Sequence, residues 1–324
     1  MRAGYLTPTH PVSRLLGDEQ RERRDTRLTR GHAAPLFGPN VASGASGASV
    51  RRTSLAGMCG RYASSRQPED LVEEFEITLV PDHVPRIEAD WNVAPTKEVY
   101  AVVERPPRDE DGTKTEQPER QLRVLTWGLV PFWSKDISGA SRMINARMET
   151  VAEKPAYRRA FERRRCLLPA DGYYEWYATD QLTAKGKPRK QPFFVRPRDG
   201  GTLAMAGLYE IWRDPTKADD DPDRFRWTTT VLTTSAEDSL GHIHDRMPLM
   251  LEPDAYDAWL DPTSHDRDRL LDLLVPAAPG RLEAFPVATL VSNVQNNGPE
   301  LVAPLPLSEV PAEVAAQVPG PAGA

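Results

Sequence analysis

Two cysteines are all that the 324 residues contain, Cys59 and Cys166, and they stand 107 positions apart. That excludes a disulfide framework and any paired-cysteine spacing for a metal, and it makes a reducing cytosol the default compartment. No stretch approaches the roughly 18 apolar residues that a membrane-spanning helix needs. The amino-terminal region lacks the apolar run of about 7–15 residues that would follow the charges of a secretory signal. No internal repeat is visible. Proline, by contrast, is abundant: there are 31, roughly twice the usual share of about 5%, which argues against long uninterrupted helices.

Positive charge is in deficit, 41 Lys+Arg against 47 Asp+Glu, and unevenly placed. Residues 1–57 hold nine Arg and four acids, a net of +5, whereas the remaining 267 residues carry 32 basic and 43 acidic groups, a net of −11. The leader is rich in Gly, Ala and Ser and poor in the aromatic and β-branched residues that offset ordering entropy. It reads as a disordered leader or as the product of a mis-assigned start. Residues 58–310 read as the folded domain and 311–324, a Pro/Ala/Gly stretch, as a flexible tail. An acidic body excludes a generic polycation that coats DNA but leaves room for a local basic groove.

Within the body, short apolar runs alternate with Pro and charge clusters. Val99–Val103, Gln121–Thr126, Pro192–Val195, Thr202–Gly207 and Thr228–Thr233 read as strands. Arg105–Arg120 and Thr179–Gln191 read as exposed hairpin connections. Gln67-Pro68-Glu69-Asp70 opens a helix with Leu71, Val72 and Phe75 on one face, and Lys154–Arg164 and Pro253–Leu260 are further helical candidates. Arg163-Arg164-Arg165 reads as a solvated helix end. The mixture predicts an α+β fold, a single domain around a twisted, largely antiparallel sheet.

Met58-Cys59-Gly60-Arg61 is the most informative tetrapeptide, because Met58 sits at the compositional break. Removing that Met would leave Cys59 as the amino terminus. A terminal Cys carries an α-amine with a reference pKa of about 7.7–8.0 beside a thiol near 8.5. An aldehyde meeting the pair can form a Schiff base with the amine and be trapped by the sulfur as a thiazolidine. The alternative is an internal, small, semi-buried Cys in an extended segment.

Five further segments follow in order: Trp91-Asn92-Val93-Ala94-Pro95-Thr96, Trp127-Gly128-Leu129-Val130-Pro131-Phe132-Trp133, Asn145-Ala146-Arg147-Met148-Glu149, Asp171-Gly172-Tyr173-Tyr174-Glu175-Trp176 and His244-Asp245-Arg246-Met247-Pro248. In these motifs the chain, from Met58 to about Pro304, closely resembles the SOS-response-associated peptidase (SRAP) family of abasic-site processing proteins. The resemblance implies a barrel-like core with short flanking helices. It also implies a covalent thiazolidine cross-link between Cys59 and abasic sites in single-stranded DNA, with Asn145, Glu175 and His244 as the other catalytic residues. Such a protein would belong to the DNA damage response, would be cytoplasmic and nucleoid-associated on DNA, and would act as a monomer without metal, cofactor or membrane.

Elementary chemistry agrees with those roles. Ring opening of the deoxyribose moves a proton from its anomeric hydroxyl, which His244 can shuttle. Dehydration of the carbinolamine and closure of the thiazolidine need an acid and a base near the amine, which suits a partly buried Glu175. Asn145 can hold the amine or sugar oxygens without titrating. For the DNA strand, Arg61, Arg147 and Arg246 lie within two residues of Cys59, Asn145 and His244 and offer cations to phosphates. Trp127, Phe132, Trp133 and Trp176 offer flat surfaces to unstacked bases, and Thr233, Thr234 and Ser235 offer hydroxyls to a phosphate. Cys166 reads as a buried strand residue, and His83, His242 and His265 as surface.

One departure from the family pattern has chemical weight: 57 residues precede the Met-Cys pair, and an amide nitrogen at Cys59 could not form a thiazolidine. An upstream start, removal of the leader, or persistence of the extension with DNA binding but no covalent trapping each resolve it, in that order of preference. Two other functional classes compete with the cross-linking reading. One is a cysteine peptidase using Cys59 with His244 and Asn145 or Glu175, acting on its own preceding bond; the other is a non-catalytic single-strand binder.

Overall fold

Apolar residues of the body fall at every position of some strands and at alternate positions of others, and that difference sets the architecture. The computed structural model describes residues 60–107, 113, 115, 117–236 and 240–316. The leader, Met58, Cys59 and residues 317–324 lie outside the described residues. In chain order the elements are β1 (Tyr62–Ser64), α1 (Pro68–Glu74), β2 (Asp90–Val93), β3 (Glu98–Arg105), β4 (Glu119–Trp127), β5 (Asn145–Arg147), α2 (Arg158–Arg163) and β6 (Arg165–Ala170). There follow β7 (Gly172–Leu182), β8 (Pro188–Pro197), β9 (Leu203–Arg213), β10 (Phe225–Ser235), β11 (Arg246–Pro248), α3 (Tyr256–Leu260), α4 (Arg267–Asp272), β12 (Leu282–Pro286) and α5 (Ala312–Ala315). No helix among them is long and apolar enough to cross a membrane.

Strands β10, β4, β3, β6 and β9 form a ring that closes because β9 pairs with β10 in addition to β6. Closure removes the edges of the sheet. β6 is buried at all six positions, as expected of a strand covered on both faces: inside by the barrel core around Trp127, Leu168 and Met205, outside by α2 and α3 through Phe161 and Trp259. A second, five-stranded antiparallel sheet, in the order β12-β8-β7-β1-β2, packs beside the barrel. Its β7 faces two cores at once, with Tyr173 in the barrel core and Tyr174 in the cluster with Phe194 and Leu301. The fold is thus α+β, mostly sheet, in one domain.

The site is built where β10 changes partners. Along one edge β10 pairs in parallel first with β4 (Thr228 with Thr126, Thr229 with Trp127) and then with β5 (Val231 with Asn145, Thr233 with Arg147). Along the other it pairs with β9 from Phe225 to Val231 and then with β11 from Thr233 to Ser235. Beyond β11, Leu249 wedges between the diverging β9 and β10, accepting from the Ala206 amide at 2.8 Å and donating to the Leu232 carbonyl at 2.8 Å. Gly207 sits at that divergence. A Cβ there would lie 2.3 Å from Leu168 Cδ1, 2.9 Å from Cys166 Sγ and 3.0 Å from the Thr230 carbonyl.

Each expected strand falls on an observed one, but the strands run further than the apolar runs that signalled them. β7 and β8 extend into the region read as an exposed connection, pairing Ala178 with Lys190 and Leu182 with Pro188. The helix expected over Lys154–Arg164 shortens to α2. The one over Pro253–Leu260 divides into a 3₁₀ turn, Pro253–Ala255, and α3. Two expectations need correction. Arg165, read as a solvated helix end, is 2% exposed and donates to the carbonyls of Trp259 at 2.6 Å and Phe161 at 2.9 Å, because α2 ends at Arg163 and Arg165 already belongs to β6. Residues 311–316, read as tail, carry α5, whose Val314 is fully buried against the barrel core.

Gly207→Ala is expected to destabilise the protein by about 1–3 kcal/mol through overpacking. A thermal melt would register this as a fall of several degrees; an unchanged midpoint would show that the divergence of β9 and β10 tolerates a side chain.

Candidate active site and nucleic-acid interface

Glu175 and His244 line the same narrow crevice, between β7 and the turn that precedes β11, with Tyr173, Ile243 and Arg246 among the other walls. Glu175 is on β7 opposite Phe193 and is buried, 4% exposed. Its neighbour Tyr174 donates its amide to the Arg61 carbonyl at 2.9 Å, so the start of β1 runs alongside the carboxylate-bearing stretch of β7. Cys59 itself lies outside the described residues.

His244 is held by its turn. Leu240 and Ile243 anchor that turn in the barrel core, and the His244 amide donates to the Leu240 carbonyl at 3.3 Å. Nδ1 accepts the Arg246 backbone N–H at 3.1 Å and lies 3.2 Å from Asp245 Oδ1. An Nδ1 engaged as acceptor places the proton of the neutral ring on Nε2; protonation would let Nδ1–H turn to the Asp245 carboxylate.

Asn145 occupies β5 beside Val231 of β10, and its carbonyl accepts from Tyr157 Oη at 3.3 Å. The residue before it is fixed twice, since the Ile144 carbonyl accepts from Trp127 Nε1 at 3.0 Å and from the Val231 amide at 2.9 Å. Trp127, expected to stack on a base, is 1% exposed in the barrel core, edge-on to Tyr62 with ring centroids 5.0 Å apart. It supports both the Asn145 strand and β1 from beneath and offers no face to a ligand.

The chain that follows Trp127 turns outward at Gly128, whose φ of +138° and approach to the Ala140 carbonyl, 2.7 Å from a built Cβ, exclude other residues. Leu129 and Val130 are buried, and Phe132 and Trp133 emerge 47% and 58% exposed. The Arg159 guanidinium lies over the Phe132 ring at 4.5 Å. Trp176 is partly exposed, with Nε1 donating to Ser292 Oγ at 3.2 Å.

The three arginines differ. Arg147 projects from β5 into solvent. Arg246, expected to meet a phosphate, is instead braced: its guanidinium bonds both carboxylate oxygens of Glu149, at 3.0 Å for Nη2 to Oε2, and the Thr233 carbonyl at 2.6 Å. The Glu149 carboxyl is held below its usual range, chiefly by that hydrogen bond. Arg61 is half-buried, and its Nη1 donates to Asn92 Oδ1 at 2.6 Å and to the Val291 carbonyl at 2.9 Å; burial lowers its pKa. Thr233 and Thr234 are buried within β10, which leaves Ser235 as the exposed hydroxyl of that trio. His83, His242 and His265 are exposed.

Sequence reasoning gave no role to Glu149, Arg159 or Asn92. Glu149 and Asn92 stand inside quoted motifs, so the signal was present; what was missing is that their partners are 97 and 31 residues away. Cys166 is fully buried on β6, and burial pushes its thiol up to about 12, against a weak opposing contact to Thr229 Oγ1 at 3.5 Å. At pH 8 Cys166 is therefore expected to stay unmodified by an aromatic disulfide reagent in the native protein and to react once denaturant is added. Rapid labelling of Cys166 before unfolding would contradict its assignment as inert core.

The family model described as SOS response associated peptidase (SRAP) matches residues 58–294. The abasic site processing protein YoqW of Bacillus subtilis is 35% identical over 246 residues, covering 76% of this chain and 99% of YoqW. The abasic site processing protein YedK of Escherichia coli is 32% identical over 258 residues, covering 76% of this chain and all of YedK. A crystal structure of a Bacteroides thetaiotaomicron protein has the same fold, with a TM-score of 0.61 at 21% identity over 76% of this chain and all of that one. The chain belongs to the SOS response associated peptidase (SRAP) family.

Proposed function

We propose that the protein captures abasic sites in single-stranded DNA by closing a thiazolidine between Cys59 and the opened deoxyribose. The convergence of Glu175 and His244 on one crevice beside the start of β1 carries this reading. Covalent connectivity keeps the Cα of residue 59 within about 7.6 Å of that of Arg61. In the reaction, His244 relays the proton of the anomeric hydroxyl as the ring opens to its C1′ aldehyde. The Cys59 amine adds to that carbon, and the carbinolamine loses water with Glu175 as acid. The thiolate then adds to the imine carbon, the nitrogen takes up a proton, and the net change is loss of one water. Asn145 orients the amine or the sugar through hydrogen bonds. The scheme requires a free amine at Cys59, and so a chain that starts at that residue when it reacts.

Strand binding is assigned to Arg147 for phosphate and to the exposed rings of Phe132 and Trp133 and the partly exposed ring of Trp176 for bases. With a body this acidic, affinity comes from a few placed cations, not from bulk charge.

Protein whose chain starts at Cys59 should give a heat-stable adduct with an abasic oligonucleotide, and Cys59→Ala should give none. Glu175→Gln and His244→Ala should each slow adduct formation at saturating DNA by about 10²–10⁴-fold. No adduct from a chain with its amine demonstrably free, together with equal affinity for intact and abasic strands, would leave a simple single-strand binder in its place. Arg147→Gln should weaken binding of an intact strand and reduce the log–log salt slope by about 0.7. Trp127→Phe should leave that slope unchanged while lowering the melting temperature, and the reverse pattern would reinstate Trp127 as a DNA contact.

A further inference from the structure

Asn92 is fully buried on β2, and both polar atoms of its side chain are engaged. Oδ1 accepts from Arg61 Nη1 at 2.6 Å. Nδ2 faces three carbonyls of one distant segment, Asn296 at 2.8 Å, Asn293 at 3.0 Å and Val291 at 3.3 Å. Its backbone is pinned as well, with the amide on Asp90 Oδ1 at 2.8 Å and the carbonyl on Lys97 Nζ at 3.1 Å. Asn297 fastens the same distant segment to the start of β2 and the residue before it, accepting from the Trp91 amide at 2.8 Å and donating to the Ala89 carbonyl at 3.0 Å. Arg61 is threaded through this junction, and its guanidinium lies 5.7 Å from the ring of Trp176.

So many hydrogen bonds converging on one fully buried polar side chain need a reason beyond holding a four-residue strand. β1 is only three residues long, and Arg61 is the last side chain before Gly60 and residue 59. A chain end frays unless it is tied down, and a nucleophile on a fraying end loses the effective concentration that makes an enclosed reaction fast. We infer that Asn92 is a positioning residue for the reaction proposed above, on which this inference rests: it fixes the Arg61 guanidinium, and Arg61 fixes the nucleophile-bearing start of β1. The segment from Val291 to Asn297 is then part of the site, and Arg61 serves as a tether with little of its guanidinium left for phosphate.

The test compares chains starting at Cys59 that carry the native sequence, Asn92→Ala, Asn92→Asp or Arg61→Lys. Three quantities are measured: affinity for an intact single strand, the single-turnover adduct rate at saturating abasic oligonucleotide, and the melting temperature. Arg61→Lys keeps the charge but loses the planar guanidinium whose Nη1 reaches both Asn92 Oδ1 and the Val291 carbonyl. It should lower the rate about tenfold or more while strand affinity changes less than about twofold. Asn92→Ala should do the same in its folded fraction. Asn92→Asp keeps the acceptor for Arg61 but sets a carboxylate against three carbonyls, so it should be less stable than Asn92→Ala and yet react faster. A merely structural role predicts the opposite, rates that follow stability. Unchanged rates in Arg61→Lys and Asn92→Ala overturn the inference, as does a parallel fall of rate and affinity, which would make Arg61 a phosphate contact. Failure of the native chain to form any adduct overturns the functional reading and this inference together.

Discussion

One strand, β10, has to satisfy two edges with four partners, and that constraint creates the site. Over its first half β9 and β4 occupy the edges and close the barrel. Over its last residues the edges pass to β11 and β5. A buried strand cannot leave backbone groups unpaired without a cost comparable to lost hydrogen bonds, so short segments have to fill the places the barrel strands vacate. Those segments are Asn145–Arg147 and Arg246–Pro248, two of the chain's five motifs. Gly207 at the point of departure and Leu249 in the wedge are as much a part of the arrangement as the residues that face the crevice.

Much of the remaining polar chemistry around the crevice goes into holding things still. Arg246 is consumed by Glu149 and Thr233, and its backbone N–H sets the proton position on His244. Trp127 uses its indole N–H to fix Ile144, one residue before Asn145. Isolated surface ion pairs contribute about 0–1 kcal/mol, so the worth of the Arg246 brace lies in geometry more than in stability. Motif residues thus divide between those that line the crevice, Arg246 among them, and those such as Trp127 that support it from the core.

The division also explains what was legible in the sequence. The resemblance singled out Glu175, His244 and Asn145 by their short motifs, but not that Glu175 and His244 line one crevice or that Asn145 lies on a strand at the β10 edge, since those placements depend on long-range pairing. Strand lengths were not legible. β6 and the first eight residues of β9 are buried without alternation, so the period-2 signal that marks a half-exposed strand is missing. Nor could the fates of Trp127 and Trp133 be told apart, six residues apart in one motif; the turn at Gly128 sends one ring into the core and the other to the surface. Arg61, Arg147 and Arg246 look alike by position, and only long-range partners show that two are struts and one is free to meet solvent.

That last distinction bears on how an acidic protein meets a polyanion. The body's net charge of −11 opposes approach of a DNA strand, and each arginine committed to an internal partner subtracts from the attraction. Of the residues named for strand binding, Arg147, Phe132 and Trp133 stand exposed and Trp176 partly so, a set richer in rings than in charge. Stacking requires bases that are already unpaired, whereas cations bind any phosphate backbone. Under the function proposed above, such a set favours strands with exposed bases, while Arg61 and Arg246, committed to internal partners, hold the residues around the crevice in place.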